Sequence, residues 1–147
     1  MEGLIVKNRP IGICLIGAGR AGMIHGMNYK SKVDGAVMTA VADPFEEACK
    51  KSCEALGIER YYTDYTQALA QEDIDAVIVA SPTKFHKEIV VAAARAGKHV
   101  LCEKPMAMDE AECDEMIKAS KRNHVILQLA FMRRFDESFV AAKKAID

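Results

Sequence analysis

Gly17-Ala18-Gly19-Arg20-Ala21-Gly22 follows directly on the apolar run Ile11 to Ile16. Three glycines at that spacing suit the binding of a pyrophosphate. The first permits a tight turn, the second lets phosphate approach the backbone, and the third lets the next helix pack close to a sheet. A helix beginning near Arg20 would offer its free N–H groups and the positive end of its dipole to the same phosphates. Asp43 ends the next apolar run, 21 residues after Gly22, close to the roughly 20-residue offset of a carboxylate that accepts from an adenosine ribose. Gly17, Ala18, Gly19, Arg20 and Ala21 are therefore candidate phosphate contacts, and Asp43 is the candidate ribose contact. Asp43 also precedes Pro44, so it reads as an N-cap with proline at the first helical position, a role compatible with ribose binding.

These residues need strands and helices to hold them. Ile11 to Ile16 lacks polar alternation, as expected of a strand buried on both faces of a parallel sheet. The pattern then predicts a helix over 20–31, a strand over 37–42, a helix over 44–56 stopped by Gly57, and a short strand over 60–63. Asp64 should cap a brief helix through Ala70. Strands over 75–80 and 99–102 flank a helix over 84–96, with Ile89, Val90 and Ala93 on its inner side. Asp109 should cap a helix to about Arg122, followed by a strand over 125–130. Phe135, Phe139, Ala142 and Ile146 are spaced as one face of a last amphipathic helix. Six strands alternating with helices predict an α/β fold, a doubly wound parallel sheet of Rossmann type, as a single domain over 1–147. With strand order 3-2-1-4-5-6, a crevice opens between strands 1 and 4 at their carboxyl ends. The glycine loop, Asp43, Ser81-Pro82 and Glu103-Lys104-Pro105 would all gather there.

Composition narrows the class. Half of the 147 residues are hydrophobic, so a core is available, and 20 basic against 21 acidic residues leave a net charge of −1. That balance points neither to nucleic acid nor to an anionic membrane. The longest apolar stretch, Ile89 to Ala94, is far too short to span a bilayer. Met1 to Pro10 lacks the apolar segment of a secretory signal. Five cysteines, with Cys14 and Cys102 inside expected strands, suit free thiols in a cytoplasmic setting better than a disulfide framework. Cys49 and Cys53 lie one helical turn apart, but no second pair completes a metal site, and none is expected.

The motifs together resemble the nicotinamide-binding half of the glucose–fructose oxidoreductase/inositol dehydrogenase family. The match runs through Gly17-x-Gly19-x-x-Gly22-x-x-His25, Val41-Ala42-Asp43, Ala80-Ser81-Pro82-x-x-x-His86, Glu103-Lys104-Pro105 and Phe131-Met132-Arg133-Arg134-Phe135-Asp136. The last two are more specific than the glycines. Thr83 stands where the family often has Asn, which removes an expected side-chain contact to the cofactor. The resemblance implies NAD as cofactor, with NADP disfavoured by Asp43. Arg20 is the residue that could swing over a 2′-phosphate and blur that preference. It further implies Ser81, Pro82, His86, Glu103 and Lys104 as cofactor contacts, and Lys104 as the catalytic cation. Family members continue into a second α/β domain that carries the substrate pocket and a catalytic His, so a substrate domain is expected after Asp147.

Each candidate also has a plainer reading. His25 could serve only packing, His86 could be a surface residue, and Lys104 could be a solvated lysine. Arg133 and Arg134 could be a charged helix start, and Lys143 and Lys144 a solvated face. Met106, Met108 and Met132 could be adaptable filler on the side facing that second domain. The expectation from the whole reading is an NAD-dependent oxidoreductase domain acting on a hydroxyl of a sugar, polyol or related small molecule, and the family resemblance is compatible with a homo-oligomer. The isolated domain should bind cofactor without turnover. The alternative is a stand-alone, non-catalytic nucleotide-sensing domain, which would have no need of Glu103-Lys104-Pro105.

Overall fold

The computed structural model describes residues 9–146. Its strands are β1 (Ile11–Ile16), β2 (Ala36–Ala42), β3 (Tyr61–Tyr62), β4 (Ala76–Val79), β5 (His99–Cys102) and β6 (Leu127–Leu129). All pair in parallel, in the order β3-β2-β1-β4-β5-β6, so the chain direction of travel reverses between β1 and β4. The helices are α1 (Arg20–Lys32), α2 (Glu46–Leu56), α3 (Tyr65–Leu69), α4 (His86–Arg95), α5 (Glu110–Arg122) and α6 (Glu137–Ile146). This is the doubly wound arrangement that the alternation predicts, and it places a crevice at the β1/β4 switch point.

Two apolar layers hold the sheet. Ile13 and Leu15 pack with Cys49, Cys53 and Leu56 of α2, and Met23 and Tyr29 of α1 join them. Cys14 and Ile16 face the other way, onto Ile89, Val90 and Ala93 of α4 and Met116 of α5. The period of two in β1 therefore feeds both faces, which is why its sequence shows no polar alternation. Strand β2 is less regular. Its register against β1 slips between Ile13, opposite Met38, and Cys14, opposite Ala40. Thr39 is the extra residue, and its hydroxyl donates to the Ile13 carbonyl at 3.0 Å. The slip reverses the phase of the strand. Met38 and Val41 face α1 and α2, while Ala40 and Ala42 face α4.

Several helix ends follow the expected chemistry. Asp64 accepts from the Thr66 N–H and Asp109 from the Glu112 N–H, and Gly57 ends α2 with φ of 71°. Two expectations are corrected. Helix α2 begins at Glu46 with Phe45 as its N-cap, two residues later than Pro44. Asp43 Oδ1 instead accepts from the Phe45 N–H at 3.0 Å, closing an Asx turn ahead of the helix. The last apolar stripe is also broken, because Phe135 ends a 3-10 turn (Met132–Phe135) rather than starting a helix. Phe135 is 75% exposed and Ile146 85% exposed, so this stripe covers no core among the described residues. No helix among those residues is long and apolar enough to cross a membrane.

Candidate functional site

The glycine loop is built by the end of β1. Gly17 has φ of +98°, and a side chain there would run into the Ala80–Ser81 backbone at 2.6 Å, so only glycine makes the turn. Its N–H donates to Ala42 O at 2.8 Å, which ties the loop to the end of β2. Gly22 is buried in the first turns of α1, where a Cβ would overlap the Gly17 carbonyl oxygen. Gly19, the N-cap of α1, differs. A Cβ there would meet nothing within 4 Å. Its lack of a side chain serves open space, as close approach by a phosphate requires.

Asp43 closes the loop from the side. Its Oδ2 accepts from the Ala18 N–H at 2.8 Å while Oδ1 holds Phe45. Each carboxylate oxygen has capacity for a further hydrogen bond, and the side chain is half-buried on the wall of a crevice of about 670 Å³. That crevice also takes in Gly17, Ala18, Gly19, Ser81 and Pro82, so it joins six of the residues singled out from sequence. Ser81 Oγ is buried there with no hydrogen-bond partner among the described residues, and such an atom calls for a polar group from a ligand. The open Gly19 position and the unpartnered Ser81 hydroxyl fit a dinucleotide in this crevice.

The sequence reading missed the apolar wall opposite. Phe45, Tyr65, Phe85 and Ile89 line the crevice beside Asp43. Phe45 is 75% exposed, which suits a flat, uncharged ring system more than water. The signal available was positional, since Phe45 follows β2, Tyr65 follows β3 and Phe85 follows β4.

Arg20 and Ala21 are exposed on the first turn of α1 and do not line the crevice. Glu103 and Lys104 lie one strand away, at the end of β5, and His86 opens α4. The structure places Glu103 and His86 among protein partners, off the crevice wall. Glu103 is 7% exposed, and both of its oxygens are engaged within the protein. Oε1 lies 2.8 Å from His25 Nε2, and Oε2 accepts from the Lys104 N–H at 2.9 Å. Burial works against its charge. The hydrogen bonds from His25 and Lys104, with the nearby positive charge, outweigh burial and hold its pKa below the usual glutamate value. His86 is 1% exposed, with Nδ1 3.0 Å from Pro105 O and Nε2 2.8 Å from Ser81 O. A neutral imidazole carries one N–H, so it donates to one of these carbonyls at a time. His86 thus joins two loops, with both ring nitrogens facing protein carbonyls.

Lys104 is exposed on the turn after β5, and its ammonium has no ion-pair or hydrogen-bond partner among the described residues. Cys102 is buried beside it. Burial, aided by the Glu103 charge, pushes its thiol up to about 12, so it supplies no thiolate nucleophile.

A family model described as an oxidoreductase family with an NAD-binding Rossmann fold matches residues 11–131. The chain is 42% identical over 135 residues to myo-inositol 2-dehydrogenase of Thermotoga maritima, covering 92% of this chain and 40% of that protein. It is 36% identical over 133 residues to scyllo-inositol 2-dehydrogenase (NAD(+)) of Bacillus subtilis, covering 90% of this chain and 39% of that protein. Among solved structures, scyllo-inositol dehydrogenase from Lactobacillus casei with bound NAD(H) and scyllo-inositol superposes with a TM-score of 0.88 at 34% identity. That match covers 95% of this chain and 41% of the other. The chain thus spans about two fifths of the length of the relatives it matches. The chain belongs to the oxidoreductase family with an NAD-binding Rossmann fold.

Proposed function

We propose that this chain is the NAD-binding part of a dehydrogenase that interconverts a secondary hydroxyl of a polyol of the inositol class and the corresponding ketone. The observation that carries the reading is the crevice itself. An open glycine N-cap, a half-buried Asp43 with accepting capacity to spare and an unpartnered Ser81 hydroxyl meet at the β1/β4 switch point. Gly17 to Gly19 and the first N–H groups of α1 would take the pyrophosphate, and Asp43 the adenosine ribose. The apolar wall of Phe45, Tyr65 and Phe85 would take the adenine.

NAD supplies the hydride-accepting ring when bound. The rest falls to the chain. As hydride leaves a hydroxyl-bearing carbon, its O–H must lose a proton and negative charge develops on oxygen. The Lys104 ammonium, exposed and with no hydrogen-bond or ion-pair partner among the described residues, would stabilise that charge. A proton acceptor is also needed. His25 and His86 are engaged as described, and His99 Nδ1 accepts from the Ile126 N–H at 3.0 Å. We place the base and most of the substrate pocket outside residues 1–147, in the length of the relatives that this chain does not span. Titration of the purified chain with NAD, NADP and S-adenosylmethionine tests the reading. Binding of NAD ahead of the other two is expected, and binding of none of them would contradict it.

A further inference from the structure

Residues 103–105 are tied down on both sides by histidines that the proposed reaction does not use. His25 lies on α1, the helix whose N-terminus completes the glycine loop, and reaches Glu103 Oε1 at 2.8 Å. The other Glu103 oxygen takes the N–H of Lys104 itself at 2.9 Å. On the far side, His86 spans Pro105 O and Ser81 O. Lys104 therefore has a fixed backbone and an ammonium with no hydrogen-bond or ion-pair partner among the described residues.

The fixed point at the α1 end is firm. Gly22 packs on the Gly17 carbonyl, and Gly26 brings α1 onto Leu56 and Leu15, leaving the helix no slack against the sheet. A simple structural link between α1 and the end of β5 could be apolar at no loss of stability, since a buried charge is costly to desolvate. Here the link is a buried carboxylate with one oxygen for α1 and the other for the N–H of Lys104.

We propose that His25 and Glu103 are positioning residues that tie Lys104 to the phosphate-binding helix, so that the lysine is held in place from the helix that receives the cofactor. This rests on the NAD-dependent reading above. It adds a role for two residues that do not line the crevice.

The test is site-resolved acylation of lysine amines in the 147-residue chain, with and without saturating NAD, using exposed Lys51 on α2 as internal reference. In the parent, NAD should protect Lys104 and leave Lys51 unchanged. In His25→Leu and in Glu103→Leu, NAD affinity should stay within about threefold while protection of Lys104 is lost. Glu103→Gln should retain protection, because its amide can accept from the Lys104 N–H and donate to the imidazole. Full Lys104 protection in both leucine variants overturns the coupling and leaves the NAD reading intact. Failure of the parent to bind NAD overturns both. Should a leucine variant not fold, amide hydrogen exchange in the parent decides the matter. NAD should slow exchange at Lys104 together with α1, and slowing confined to α1 overturns the coupling.

Discussion

Asp43 and Glu103 are both acids set at the carboxyl end of a strand on the same side of one sheet, yet they are spent differently. Asp43, after β2, is half-buried and gives one oxygen each to Ala18 and Phe45, keeping accepting capacity on a crevice wall. Glu103, after β5, is buried and gives one oxygen to His25 and the other to Lys104, away from that crevice. A strand-end position makes an acid available to the site but does not make it a ligand contact. What decides is whether the surrounding helices leave it lone pairs and space. On α1 the same contrast separates Gly19, whose missing side chain faces open space, from Gly22, whose missing side chain faces backbone.

The sharpest way to break this division is at the glycines. Gly19→Val should abolish NAD binding by filling the phosphate position, with the fold and its thermal midpoint retained, because its φ of −73° suits any residue and nothing crowds it. Gly22→Ala should instead destabilise the chain, by about 1–3 kcal/mol as overpacking usually does, since α1 must move off the Gly17 carbonyl. Calorimetric titration and thermal unfolding of both variants separate the two outcomes. Retained NAD affinity in Gly19→Val would place the phosphate cradle elsewhere.

Asp43→Ala comes next. Loss of one or two hydrogen bonds to a charged acceptor should weaken NAD binding by about tenfold or more. Glu103→Gln should leave NAD affinity within about twofold, because its side chain does not line the crevice. Equal losses in the two variants would erase the distinction between them.

The smallest expected effect is on pH dependence of stability. The folded-state pKa of Glu103 is depressed, so its contribution is complete above the usual glutamate value and is lost as pH falls through the lower folded value. Glu103→Gln should therefore flatten the acid limb of the parent's stability curve and leave neutral pH little changed. A parent and variant that lose stability in parallel below the usual glutamate value would show that the His25 and Lys104 contacts do not hold the carboxylate charged.

Much of the fold was legible because its signals are local. The strand order follows from the alternation and crossover rules, and Asp64, Asp109 and Gly57 act at helix ends as their types dictate. The glycine loop, Asp43, Ser81 and Pro82 were legible as a group because strand ends at a switch point converge wherever the intervening helices lie. The remainder depends on packing across the sheet. The bulge at Thr39 leaves no local mark, and the contact of His25 with Glu103 joins residues 78 apart. His86 reads as a cofactor contact or, more plainly, a surface residue at a helix start, yet the turn at Thr83–Phe85 rolls it inward between two carbonyls. The stripe of Phe135, Phe139 and Ile146 has helical spacing but stays exposed, because periodicity shows which side chains share a face and not what covers them.

The central claim is that this crevice is an NAD site selected by Asp43, and side-by-side calorimetric titration of the unmodified chain with NAD and NADP tests it most directly. Asp43 would accept from the ribose hydroxyls and repel a 2′-phosphate, and Pro44 and Phe45 bring no compensating cation. NAD should bind more tightly by about tenfold or more. Equal affinity for the two, or tighter binding of NADP, would contradict the account.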